Sequence, residues 1–335
     1  MEYRVLGKTG LRISRVGFGG IPIQKIDAAG TQKLMRSPMD AGVNFIDTAR
    51  GYTVSEQYLG EALEGIREHF VIASKSMSRD KASMARDIDI SLSNLRTDHI
   101  ELYQIHNAHI RDLETVTAPG GALEALLEAK ACGKIGHLGV TTHTREAFEK
   151  ALSYDWVETI MFPYNIVENQ GEELMRRCTR QNVGFINMKP LAGGAIEDAT
   201  LALRYIVANP DVTVVIPGMA EEREIAQNVA AACDDSPLTP EEHEKIQQIR
   251  DTLGVNFCRR CNYCAPCTVG INIPQTFVDE SYLSRYGLEA WAREKYAKVE
   301  KKASQCIECG VCETRCPYQL PIRQMMKKVA RSFGE

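Results

Sequence analysis

No stretch of this chain approaches the roughly eighteen consecutive apolar residues of a membrane-spanning helix. The start, MEYRVLGKTG, also lacks the charged-then-apolar pattern of a secretory leader. Both absences point to a soluble, cytoplasmic protein without a membrane partner. Strong charge of one sign is missing too, the net being −4 over 335 residues. No aromatic-interleaved basic patch or DNA-binding motif occurs, which argues against a nucleic-acid partner. Evenly scattered cysteine pairs, the mark of a disulfide scaffold, are absent: eight of the 11 cysteines crowd into two short tracts, and that spacing favours metal. The other three, Cys132, Cys178 and Cys233, sit in helix-like stretches and read as buried inert thiols.

What is present is alternation. Short apolar runs read as strands at SRVGFG (14–19), NFIDT (44–48), FVIASK (70–75), IELYQIH (100–106), HLGVTT (137–142), TIMFPYN (159–165), GFINMK (184–189) and VTVVIPG (212–218). Between them lie segments such as KASMARDIDISLSNL and EEREIAQNVAAA, with apolar residues every three or four positions. Eight strand-then-helix units predict a closed (β/α)8 TIM barrel, class α/β. A doubly wound open sheet is the runner-up, but G-x-G-x-x-G is missing after the first strand. Pro38 falls inside the first expected barrel helix and should kink or shorten it. A helix over 238–253, capped by Thr239 with Pro240 in its first turn, should pack on the barrel and end near Gly254. The expected domains are therefore 1–254, the barrel, and 255–335, a small, mainly α-helical cysteine domain.

Active-site residues of such barrels sit where strands end. Here Asp47 ends NFIDT, Lys75 ends VIASK, His106 ends LYQIH, and Tyr52 follows Asp47 in the next loop. Any one of them alone would be an ordinary solvated strand end. Together they have a chemical logic. A phenol is a poor acid at neutral pH. A neighbouring ammonium stabilises its anion, a carboxylate holds the ammonium, and an imidazole can donate to a substrate oxygen.

IDTARGYTVSEQYLGEAL, followed by IASK, SLSNLRTDHIELYQIH and VIPG, resembles the aldo-keto reductase superfamily over roughly residues 1–250, in motif order and in spacing. The resemblance implies a (β/α)8 barrel that binds NADPH or NADH across its strand ends without a Rossmann domain. It places a catalytic tetrad on Asp47, Tyr52, Lys75 and His106. Hydride would pass to a carbonyl carbon while Tyr52 protonates its oxygen, or an alcohol would be oxidised in reverse. Thr141 and Thr142 stand where the family has a serine–asparagine pair, with Asn165 in the next strand end. Met161 replaces a usual glutamine. Lys189, Pro190, Leu191 and Gly193 look like the loop over the pyrophosphate. Gly218 and Met219 replace the lysine and serine that grip a 2′-phosphate, Arg223 lies between Glu222 and Glu224, and Asn228 matches the adenine position. The choice between the two nucleotides stays open.

Cys306-x2-Cys309-x2-Cys312-x3-Cys316-Pro317 is the bacterial ferredoxin spacing. Zinc requires only two C-x2-C pairs across a longer loop. In the other tract Cys258, Cys261, Cys264 and Cys267 are three apart, and CTVGINIP aligns with CPYQLPI. That alignment pairs Cys267 with Cys316 and suggests an exchange: Cys258, Cys261, Cys264 and Cys316 on one [4Fe–4S] cluster, Cys306, Cys309, Cys312 and Cys267 on the other. Residues 275–305 between the tracts read as helix, which resembles the α-helical ferredoxin module carried by a subgroup of aldo-keto reductase homologues. From residue 255 on, 13 Lys and Arg face 8 Asp and Glu, a charge of +5. Those cations either compensate two clusters of about −2 each or, through Lys298, Lys301, Lys302, Lys327 and Lys328, steer an acidic ferredoxin or other electron-transfer protein.

Nicotinamide moves two electrons and each cluster one. Three functions follow. The leading one is a nicotinamide-dependent oxidoreductase acting on a small-molecule carbonyl or alcohol, with two clusters for electron transfer. The second is a ferredoxin-fed reductase working through a flavin or directly on substrate; no flavin fingerprint is visible, though flavins bind many folds without one. The third is a non-catalytic redox-sensing or docking subunit.

Overall fold

The structure, a computed structural model, describes residues 1–335. The chain divides into two compact units. The first comprises Met1–Asn165, Asn169–Pro190 and Asp198–Leu238; the second comprises Ile166–Glu168, Leu191–Glu197 and Thr239–Glu335.

The first unit opens with an antiparallel hairpin, β1 (Tyr3–Val5) and β2 (Arg12–Ser14). Eight parallel strands follow, hydrogen-bonded in chain order: β3 (Phe18–Gly19), β4 (Phe45–Asp47), β5 (Val71–Ser76), β6 (Ile100–Ile105), β7 (Ile135–Thr141), β8 (Thr159–Pro163), β9 (Gly184–Met188) and β10 (Val214–Val215). Parallel bridges Val16↔Val215 and Gly19↔Gly218 join first strand to last, which closes the (β/α)8 barrel. Glycine permits this closure, because a Cβ on Gly19 would lie 2.7 Å from the Pro217 carbonyl oxygen.

All eight expected strands are present; six are shorter than their apolar runs, β5 is as long as its run but shifted by one residue, and β7 starts two residues earlier and is one residue longer. The hairpin was not anticipated, its strands being three residues each and its pattern too short to read. Leu6 and Ile13 nevertheless join Phe45, Ala73, Leu102 and Ile186 in the barrel interior. Outside the strands, a continuous apolar layer that includes Phe148, Phe162 and Phe185 lies beneath the helices. Pro38 acts as expected: the helix divides at Met35 into Ala28–Leu34 and Arg36–Asp40. Pro38 then occupies the first turn of the second piece, where its missing N–H breaks no intrahelical bond.

In the second unit, the Thr239 hydroxyl accepts from the Glu242 N–H at 3.2 Å and Pro240 begins a helix that runs to Leu253. This helix, expected to complete the barrel domain, groups with the second unit. The 275–305 stretch is helical but interrupted: Ile273–Ser284 and Glu289–Ala297 are separated by Gly287, whose φ is +62°. A last helix, Ile322–Phe333, lays Phe333 flat on Tyr296 with ring centres 3.8 Å apart. The apolar core here is small, ten buried residues flanked by partly buried Cys258, Cys267, Cys306, Cys312 and Cys316. No helix is long and apolar enough to cross a membrane.

Candidate active site and cysteine centre

β4 and β5 deliver Asp47 and Lys75 side by side into the barrel mouth. The Lys75 Nζ donates to both Asp47 oxygens, at 2.6 and 2.8 Å, and to the Thr48 carbonyl at 2.8 Å. Both side chains are buried, Lys75 1% and Asp47 3% exposed. Burial pushes the Lys75 ammonium below the ordinary lysine range and the Asp47 carboxyl above its own, each shift opposed by the other charge. The loop after β4 is stitched to β5 by Thr48 N–H to Ala73 and Arg50 N–H to Lys75. That loop carries Tyr52, whose ring centre lies 4.7 Å from the Lys75 Nζ. His106 follows β6, its N–H donating to the Ser76 carbonyl. Its ring meets Tyr52 edge-on, with centres 5.8 Å apart. The three residues read from successive strand ends and the tyrosine of the loop after β4 are thus brought together. An ammonium held against a phenol stabilises negative charge as it develops on the phenol oxygen.

The expected nucleotide contacts are placed as follows. Thr141 is buried and its hydroxyl accepts from the Asn107 N–H at 2.7 Å, which leaves its own proton to donate. The Thr142 hydroxyl accepts from the Thr144 N–H at 3.2 Å. Asn165 donates to the Lys189 carbonyl at 3.0 Å. Lys189 has a φ of +56° and Pro190 is buried beside it. Leu191 and Gly193 belong to the second unit. A Cβ on the exposed Gly218 would meet the Pro22 Cγ at 2.7 Å. Met219 is fully buried, and Asn228 is buried in the helix Glu222–Ala232. Met161, at the usual glutamine position, packs in the barrel interior. Arg223 is exposed and tied to Glu221, Nε to Oε2 at 2.5 Å.

In the second unit, Cys267, Cys306, Cys309 and Cys312 line one small cavity together with Thr268. The Thr268 hydroxyl stands 3.3 Å from the Cys309 Sγ and holds that exposed thiol below its ordinary range. Cys258 lies within electrostatic reach of Cys261 and Cys316, and Cys264 within reach of Cys258, Cys261 and Cys312. Burial pushes Cys258 up to about 11 and Cys264 up to about 12. Each ligand loop turns through left-handed residues, Arg260 (φ +58°) and Asn262 (+66°) in one, Glu308 (+55°) and Gly310 (+77°) in the other. Cys267, Cys306, Cys309 and Cys312 thus share one cavity, Cys258 lies near Cys261 and Cys316, Cys264 lies near Cys258 and Cys261 and also near Cys312, and no three metal-binding side chains converge on a single ion-sized point. One expectation is corrected. Cys178 is buried, but Cys132 and Cys233 are exposed, because each caps the C-terminus of its helix at the surface.

A sequence model of the aldo/keto reductase family matches residues 15–200 and 195–251, and one of a 4Fe-4S dicluster domain matches 257–321. The chain belongs to the aldo/keto reductase family. L-Galactose dehydrogenase of Arabidopsis thaliana is 25% identical over 288 residues, covering 70% of this chain and 89% of the plant protein. An aldo-keto reductase from Bacillus halodurans, solved in its holo form, superposes with a TM-score of 0.65 at 27% identity, covering 74% of this chain and 96% of its own. An aldo-keto reductase from Klebsiella pneumoniae in complex with NADPH shares the fold, with a TM-score of 0.63 at 23% identity, covering 74% and 95%.

One further residue of this aldo/keto reductase site escaped the sequence reading. Glu56, 1% exposed, accepts from the Ser74 and Ser91 hydroxyls at 2.7 Å each and from the Arg50 Nη1 at 2.9 Å. It ties the Tyr52-bearing loop to β5 next to Lys75. In RGYTVSEQYLG it lies in the first turn of the helix Ser55–Ala62, where an acid is expected at any solvated N-terminus. Only the neighbouring Ser55, itself buried, hints that this turn faces inward.

Proposed function

We propose that this aldo/keto reductase interconverts a small-molecule carbonyl and its alcohol with a nicotinamide nucleotide, Tyr52 acting as the acid. The reading rests on one observation above all: an ammonium, Lys75, buried by Asp47 against the Tyr52 ring. Bound NAD(P)H supplies, from nicotinamide C4, the hydride that reduces the carbonyl carbon. Tyr52 gives its hydroxyl proton to the carbonyl oxygen, Lys75 stabilises the phenolate left behind, and solvent restores the proton. His106 directs the substrate oxygen toward that hydroxyl. The first-unit residues Thr141, Thr142, Asn165, Lys189, Pro190, Gly218, Met219 and Asn228 fit a nucleotide: they combine buried hydroxyls and amides with backbone at which side chains are lacking or left-handed. Glu221, Glu222 and Glu224 crowd the helix start where a 2′-phosphate would lie, and Arg223 is spent on Glu221. These charges favour NADH over NADPH. Two relatives are named for sugars, L-galactose dehydrogenase and 6-dehydroglucose reductase, so a first substrate panel contains aldoses and ketosugars. Saturable NADH turnover on that panel, abolished in Tyr52→Phe, is the expected result; undiminished turnover in the variant would refute the mechanism.

The eight tract cysteines fit two [4Fe–4S] clusters, each able to supply one electron at a time, on Cys258, Cys261, Cys264 and Cys316 and on Cys267, Cys306, Cys309 and Cys312. A second reading, reduction fed by an electron-transfer protein, draws on the exposure of Cys309 and of Ile307, 59% exposed, beside it. Turnover with a reduced ferredoxin and no nicotinamide would establish it. Clusters that stay reduced on adding substrate would remove it.

A further inference from the structure

The two ligand loops are built alike but oppositely charged. Cys258-Arg259-Arg260-Cys261 aligns with Cys306-Ile307-Glu308-Cys309, and the third residue of each is left-handed, Arg260 at φ +58° and Glu308 at +55°. One loop therefore carries a cation where the other carries an anion. Their surroundings differ as well. The Arg260 side chain is only 11% exposed, and its Nη2 is ion-paired to Glu168, a carboxylate with no exposure at all. Its Nη1 lies 3.3 Å from the Cys258 carbonyl oxygen, and its Nε is buried with no hydrogen-bond acceptor in the protein. Glu308 is exposed, paired at the surface with Lys327 at 2.7 Å.

Loop anchoring does not need Arg260's charge. Arg259 already does that work, donating to the Val167 carbonyl at 2.8 Å and to the Gly254 carbonyl at 2.9 Å, and stacking 3.9 Å over Tyr318. A buried ion pair is a weak source of stability, since a well-packed apolar pair of the same volume serves as well or better. What it does supply is a fixed field in a medium of low dielectric, felt by whatever charge changes beside it. An electron added to a cluster is such a charge, and a nearby cation favours the reduced form. At Glu308 the opposite sign acts, weakened by water.

We infer that Arg260, oriented by Glu168, raises the reduction potential of the cluster held by Cys258, Cys261, Cys264 and Cys316 above that of its neighbour, so that electrons taken up at the exposed Cys309 side settle on the inner cluster. The inference rests on the ligand sets proposed above. Its role is positioning and electrostatic: each cluster gains or loses one electron, and no bond to Arg260 forms or breaks.

The full-length protein, purified without oxygen, is titrated potentiometrically with the clusters followed by electron paramagnetic resonance, iron and sulfide being counted on the same samples. The wild type gives two separated one-electron steps. Arg260→Gln removes the cation beside the Cys258 loop and moves the upper step down by about tenfold in the reduced-to-oxidised ratio, or about 59 mV for one electron. Glu168→Gln leaves a bare cation and moves the same step up. Arg260→Lys returns it toward the wild-type value, and the lower step stays still throughout. A merely structural pair would not produce opposite signs. Iron-replete variants whose potentials do not move, or move together, overturn the inference and leave the ligand sets standing. If Arg260→Gln loses iron, Glu168→Gln alone decides, an unmoved or lowered step refuting the proposal. A wild type without iron refutes the ligand sets themselves.

Discussion

The two units solve the problem of stability differently. The barrel unit closes a ring of eight strands and buries apolar side chains both inside it and between strands and helices. The second unit has a core of ten buried residues, and its loops turn around thiols rather than around apolar groups. A domain of that size rarely holds itself together by apolar burial alone, and a bound metal is a common substitute. The barrel gets its shape from its side chains, whereas the cysteine unit needs something for its side chains to hold.

The strongest way to break this contrast is to withhold iron. Chelation or ligand loss (Cys306→Ser with Cys312→Ser) is expected to unfold the second unit, giving rapid proteolysis within 257–321, while the barrel keeps its circular dichroism and its thermal transition. Protection of both regions in iron-free protein would show that the small core suffices. Next in size is Tyr52→Phe. It should lower kcat by about 10²–10⁴-fold with KM changed far less, and with the iron count intact. A parallel loss of iron would mean that the units are not separable in this way. Glu56→Ala removes the acceptor from the buried Ser74 and Ser91 hydroxyls and from the part-buried Arg50 and Asn94, and should cost the barrel about 3–5 kcal/mol. The expected readout is a lowered barrel transition in denaturant with an unmoved one for the cysteine unit, and a change under about 1 kcal/mol would count against it.

A subtler test uses pH. Burial depresses the Lys75 pKa below the ordinary lysine value of 10.5, so the folded protein gives up this proton at a pH where a solvated lysine still holds it. Carbonyl reduction should therefore fall as pH rises, starting below 10.5, and a profile of kcat/KM that stays flat to that point would contradict the geometry. The smallest expected effect is nucleotide choice. NADH should exceed NADPH by about tenfold in kcat/KM, a difference of about 1.4 kcal/mol, and Glu222→Lys should narrow the gap.

Much of this was legible in the sequence, for identifiable reasons. Alternating apolar runs are long enough to count, so eight strands and their order could be read, and the strand-end residues Asp47, Lys75 and His106 followed from register. The paired cysteine tracts could be aligned with each other, which suggested the Cys267–Cys316 exchange carried into the proposed ligand sets. Short or relational features were not legible. The hairpin offers only three residues per strand. Glu56 is an acid in a helix's first turn, and only the position of Ser74 and Ser91 in space shows that its carboxylate faces inward. Cys132 and Cys233 were misjudged because helical periodicity does not say whether the last residue of a helix meets solvent. The loop segments Ile166–Glu168 and Leu191–Glu197 follow barrel strands in the chain yet group with the cysteine unit, a long-range association with no local pattern.

The hairpin deserves to be read as a stopper. Family similarity begins at residue 15, which invites trimming everything before it. Yet Leu6 and Ile13 have no exposure to water and lie against the same apolar floor as Phe45 and Ile186, and Gly7 sits so near β9 that a methyl there would strike the Gly184 nitrogen at 2.2 Å. A shortened version starting at Val16 would uncork the cylinder from below, wetting its greasy base, and would be expected to clump rather than to simplify the enzyme.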